Sequence, residues 1–143
     1  MIRRAVADDR PDMVRMGRDF VRHSGLRLPF DAAWADRSLA GHMEHSDRLA
    51  LVLELRGAVR GMLCAAQVQS PLAPVRVASE LVFWIDPPER GRFAVEMIRA
   101  YEAWAVEQGC CLASMATVGA KRADALYQRC GFVPAERHFV KAI

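Results

Sequence analysis

The sequence predicts one domain of the mixed α/β (α+β) class, and three observations predict it. Two apolar strands, residues 48–55 and 59–68, flank the turn Arg56-Gly57 and read as an antiparallel hairpin. A third strand ends at Ile85 and breaks at Asp86-Pro87-Pro88, where proline lacks a ladder N–H and turns the preceding residue away from helix. The chain then passes through Arg90-Gly91-Arg92 into a long helix and on to another apolar strand, residues 110–117. A helix that crosses between two strands makes them parallel.

The remaining elements follow in order. Residues 2–6 form an opening strand. Asp8 and Asp9 are good helix caps, and Pro11 is tolerated in a first turn. That helix runs to about His23, with Met13, Met16, Phe20 and Val21 as its inner face, and Ser24-Gly25 ends it. Asp31 caps a second helix reaching about His45, with Trp34 on its apolar side. Residues 69–74 hold two prolines and form a loop before the central strand, 75–85. The long helix buries Ala94, Met97, Ile98, Tyr101, Trp104 and Ala105, and Gly109 suits its C-terminal end. Thr117 or Gly119 opens a last helix with the stripe Ala123, Leu126, Tyr127 and Cys130. Residues 132–133 and 137–143 are expected as short closing strands.

Composition narrows the function. The chain has 143 residues, 52% hydrophobic and 26% charged, enough for one domain with its own core. No apolar run approaches a membrane span, and Met1-Ile2-Arg3-Arg4 opens no signal peptide, so a cytoplasmic protein is expected. A net charge of +3 is mild and does not argue for a nucleic-acid surface, so no nucleic-acid partner is expected. Cys64, Cys110, Cys111 and Cys130 include no Cys-x-x-Cys pair and read as free thiols. His42 and His45 share a helix face but lack carboxylate or cysteine partners at metal spacing, so no metal site is expected.

The turn from strand to helix carries the first chemistry. A basic, glycine-containing turn at a helix start aims free backbone N–H groups at one point, which suits a phosphate or pyrophosphate. The pattern of strand, Asp86-Pro87-x-x-Arg90-Gly91 and helix is similar to the central motif of the GNAT superfamily of acyl-CoA-dependent N-acetyltransferases. Ala125-Leu126-Tyr127-Gln128-Arg129-Cys130-Gly131-Phe132 resembles that family's late signature, a tyrosine followed by Gly-Phe. The family's loop reads Arg/Gln-x-x-Gly-x-Gly/Ala, and Phe93 and Val95 stand here in place of its small residues.

The resemblance implies a single GNAT-like domain over residues 1–143, with a mixed, mostly antiparallel sheet flanked by helices. It implies acetyl-CoA as co-substrate and an amine as acceptor. Arg90, Gly91, Arg92, Phe93 and Ala94 would cradle the pyrophosphate, mainly by main-chain N–H groups. Phe83 and Ile85 would offer backbone groups to the pantetheine arm. Arg27, Leu28 and Phe30, between the first two helices, would border the acceptor.

Acetyl transfer to an amine needs a base, because an alkyl ammonium with a pKa near ~10 is charged at neutral pH. It also needs a proton donor for the departing thiolate. By the resemblance Glu80 is the candidate base, acting through water, and Tyr127 the candidate acid. Strand alternation puts Glu80, Val82, Trp84 and Asp86 on one face unless a bulge intervenes. Each residue also has a plain structural reading: Glu80 as a solvated or arginine-paired edge residue, Tyr127 as a packed helix-face tyrosine. A different class of function competes, a GNAT-like scaffold without catalysis that serves as a binding module, and Phe93 favours it. The acceptor stays open among small amines, antibiotics, polyamines, protein lysines and N-termini, and a homodimer is compatible with the sequence.

Overall fold

The computed structural model describes all 143 residues, Met1–Ile143. Five strands form one sheet in chain order: β1 (Ile2–Arg4), β2 (Arg48–Leu55), β3 (Ala58–Gln69), β4 (Arg76–Ile85) and β5 (Leu112–Ser114). The first four are antiparallel neighbours, and β4 and β5 are parallel. Helices α1 (Arg10–Ser24) and α2 (Ala32–Glu44) cover one face, while α3 (Arg92–Glu107) covers the other. The last helix, α4 (Lys121–Arg129), follows β5. No helix is long and apolar enough to cross a membrane.

Each face has its own core, which explains why β2 is apolar without alternation. Leu49, Leu51 and Leu53 point toward Met97, Tyr101 and Trp104 of α3. Ala50 and Val52 point toward Met13 and Met16 of α1. A strand covered on both sides has no wet face to be polar. The β2–β3 turn is tight because Arg56 and Gly57 both take positive φ, 52° and 76°, as a two-residue hairpin requires.

Four expectations need correction. Asp9 does not cap α1; its carboxylate takes the Arg3 guanidinium at 2.7 and 2.9 Å and the Val6 N–H at 2.8 Å. Asp31 does cap α2, accepting the Trp34 N–H at 2.8 Å, but Trp34 itself is 68% exposed, with the Arg37 guanidinium over its ring. The packed side of α2 is instead Leu39 and Met43. Strand β5 is far shorter than residues 110–117. Residues 132–133 and 137–143 are irregular and mostly exposed: Pro134 has no ladder N–H, and Phe132 folds back on the Tyr127 ring.

Candidate active site

Strands β4 and β5 share a ladder only at Val77, Ala78 and Ser79. Beyond Ser79 the two part, and the upper half of β4 has an open edge. The β3–β4 pairing shows which groups line it. The Asp86 N–H bonds to Arg60 O at 2.8 Å, so Asp86, Trp84 and Val82 turn their backbone groups toward β3. Phe83 and Ile85 therefore turn theirs toward the open edge. Ile85 O already has a partner there: Arg90 Nε donates to it at 2.9 Å.

A bulge in this pairing decides where Glu80 sits. Val82 lies opposite Cys64 and Glu80 opposite Ala65, so Leu81 is the extra residue. Alternation is thereby broken. Val82 and Trp84 join the α1 side, whereas Glu80 shares the α3 side with Ala78, Phe83 and Ile85. The unbulged grouping of Glu80 with Val82, Trp84 and Asp86 is overturned for this reason.

Glu80 and Tyr127 meet at one residue that has no functional side chain. The Ala116 N–H donates to Glu80 Oε2 at 3.1 Å, and Tyr127 donates its hydroxyl to Ala116 O at 2.9 Å. Burial pushes the Glu80 carboxyl up to about 7, and the Ala116 N–H holds back part of that rise. Burial also pushes the Tyr127 phenol up, with the neighbouring Glu80 carboxylate adding to it, so the phenol keeps its proton at neutral pH. The site thus holds a carboxyl poised near neutrality and a protonated phenol. Tyr101, fully buried on α3, donates to Ser114 O at 3.0 Å and fixes the end of β5 beside them. Ala116, Ser114 and Tyr101 were not foreseen as site residues from sequence; Ala116 contributes only backbone groups, and Ser114 meets Tyr101 through its carbonyl, which leaves no sequence signal.

At the top of the open edge, Gly91 caps α3 with φ 118° and ψ −119°, a conformation that demands glycine. Arg90 N–H is tied to Pro87 O at 3.4 Å and Ala94 N–H to Gly91 O at 3.0 Å, so two of the five loop residues expected to cradle a diphosphate, Arg90 and Ala94, offer no free donor. The N–H groups of Gly91, Arg92 and Phe93 have no acceptor in the chain. Phe93 packs against the α3-side core, and its ring is covered by the Arg92 guanidinium carbon at 4.8 Å. The Arg90 side chain turns the other way, over the Trp84 ring at 4.9 Å.

The loop is braced from below. Asp86 takes a two-pronged bond from Arg15 at 3.0 and 3.1 Å and the Trp84 Nε1–H at 3.0 Å, with Arg60 at 3.7 Å. Burial alone would raise its carboxyl; the Arg15 and Trp84 donors outweigh burial and hold it below the usual carboxylate range. On the α1 side, Arg27 and Leu28 are exposed, and Phe30 lies under the Arg18 guanidinium at 5.3 Å.

Known proteins share this fold. The model of the acetyltransferase (GNAT) family matches residues 13–132. No curated protein sequence matches the chain. A predicted acetyltransferase from Clostridium acetobutylicum, solved with acetyl-CoA, superposes with a TM-score of 0.82 at 15% identity, over 99% of this chain and 95% of that one. Glucosamine-6-phosphate N-acetyltransferase from Arabidopsis thaliana gives 0.78 at 14% identity, over 99% and 97%. An aminoglycoside 6'-N-acetyltransferase from Acinetobacter haemolyticus gives 0.78 at 19% identity, over 100% and 99%. Such identities speak for the fold, and the family match speaks for descent: the chain belongs to the GNAT acetyltransferase family.

Proposed function

We propose that this protein moves an acetyl group from acetyl-CoA to an amine by direct attack of the amine on the thioester. The observation that carries the reading is the convergence of Glu80 and Tyr127 on Ala116, at the point where β4 and β5 part. A carboxyl at about 7 is ionised in a good fraction of molecules at neutral pH and can take a proton from an ammonium through water. The Tyr127 phenol keeps its proton and can pass it to a departing thiolate.

Acetyl-CoA supplies the activated acyl group. The residues fit it at two places. The unpartnered N–H groups of Gly91, Arg92 and Phe93 stand at the start of α3, where backbone donors and the helix dipole favour a diphosphate. Phe93 occupies the glycine position of the family loop, and its side chain packs against the α3-side core. The Phe83 backbone on the open edge of β4 would pair with the amide-bearing pantetheine arm as a strand does. Arg90 acts by posture: its bond to Ile85 O and its stacking on Trp84 hold the loop in place. The acceptor class is an amine reached past Arg27, Leu28 and Phe30.

Calorimetric titration with acetyl-CoA tests the reading. A dissociation constant in roughly the micromolar range, weakened by Arg90→Ala, supports it. No heat at millimolar ligand would sink it and leave a non-catalytic GNAT scaffold that binds another protein.

A further inference from the structure

We infer that Glu80 is also the wedge that opens the slot between β4 and β5, and so a positioning residue for the acyl-CoA arm. Its consequence for binding rests on the acetyl-CoA reading above.

The argument is one of backbone direction. The carbonyls of Arg76 and Ala78 face β5: the first takes the Cys111 N–H at 2.9 Å, the second the Ser114 hydroxyl at 3.3 Å. Backbone direction repeats every second residue, so the Glu80 carbonyl faces β5 as well. With Ser79 opposite Ser114, the N–H that a continued parallel ladder would bring to the Glu80 carbonyl is that of Ala116. That N–H goes instead to the Glu80 side chain, at 3.1 Å. The carboxylate has replaced its own main-chain carbonyl as acceptor, and β5 stands off from β4 by the reach of a glutamate side chain.

Two further bonds keep the strand there. Tyr127 of α4 holds Ala116 by its carbonyl, at 2.9 Å, and Tyr101 of α3 holds Ser114 by its carbonyl, at 3.0 Å. The bulge between Cys64 and Ala65 is what turns the Glu80 side chain to the α3 side, where Ala116 is within its reach. An oxygen acceptor of the right length at position 80 is then the requirement, and charge is not.

This separates two variants. Glu80→Gln keeps an amide oxygen at the same reach and removes the base. Glu80→Ala removes both, so the Ala116 N–H falls back on the carbonyl of residue 80 and the slot zips shut. Both remove a half-buried charge, so both are expected to fold. We expect Glu80→Gln to bind acetyl-CoA like the parent while losing turnover. Glu80→Ala should bind roughly threefold to tenfold more weakly, the fold-change of the one backbone hydrogen bond the ligand must then break. A second readout needs no ligand. NMR scalar coupling across the hydrogen bond, from the Ala116 N–H to the carbonyl of residue 80, should be present in Glu80→Ala and absent in the parent and in Glu80→Gln. Its absence from Glu80→Ala, or equal acetyl-CoA affinity of the two variants, would overturn the inference. If the parent binds no acetyl-CoA but the coupling is seen in Glu80→Ala, the wedge stands and the acetyl-CoA reading alone falls.

Discussion

Replacing Glu80 by glutamine should make the protein more stable, by an amount that grows with pH. The Glu80 carboxyl moves from its ordinary 4.5 to about 7, chiefly because burial penalises the charged form. An acid whose pKa is raised by folding is held more tightly as the protonated form. Its stabilising contribution is complete below about 4.5 and is lost as pH rises through about 7. At pH 8 the ionised carboxylate costs the folded state up to about 3 kcal/mol, an upper limit because part of the side chain keeps its contact with water. Glutamine resembles the protonated carboxyl at every pH. Urea unfolding of the two proteins should therefore coincide near pH 4 and separate by up to about 3 kcal/mol near pH 8. Every other carboxylate titrates alike in both, so the difference isolates position 80. A gap that does not change with pH, or that narrows as pH rises, would refute the burial argument. The form that costs stability is the one a general base needs, so activity of the parent should rise with pH through about 7 while its stability falls.

Two other outcomes follow from the same geometry. Tyr127→Phe removes the hydroxyl that faces Ala116 O and should lower kcat by about a hundredfold while leaving acetyl-CoA affinity nearly unchanged; steady-state kinetics with an unchanged kcat would remove Tyr127 from the reaction. Asp86→Ala strands Arg15 and the Trp84 N–H beneath the loop and should cost about 2–4 kcal/mol, discounted from a fully buried pair because Arg15 and Arg60 reach water; a loss under about 0.5 kcal/mol in urea unfolding would show that the brace is not used.

The features legible in the sequence are those written in side-chain spacing. Met97, Ile98, Tyr101 and Trp104 recur at helical intervals because one face of α3 must leave water, and all four are buried. The β2–β3 hairpin, the Asp86-Pro87 break and the glycine at the start of α3 were legible because proline narrows the backbone and glycine alone readily takes the positive φ such turns need. Trp34 defeats that logic because apolarity shows what a residue prefers, and α2 has partners only for Leu39 and Met43.

The candidate site was legible by residue and illegible by arrangement. Glu80 and Tyr127 could be named from their neighbours in sequence, but the face on which Glu80 lies depends on one extra residue in the pairing with β3. A bulge is a property of two strands together, so no reading of β4 alone could place it. The group both side chains hold is Ala116, whose contribution is a backbone N–H and carbonyl that every residue except proline possesses. A site assembled on main-chain groups leaves its titratable side chains visible and its geometry hidden. Phe93, the residue that looked most damaging in sequence, packs against the α3-side core, and its N–H is one of three without an acceptor at the start of α3. A row of main-chain N–H groups needs no particular side chain, so a bulky residue at its start does not by itself abolish it.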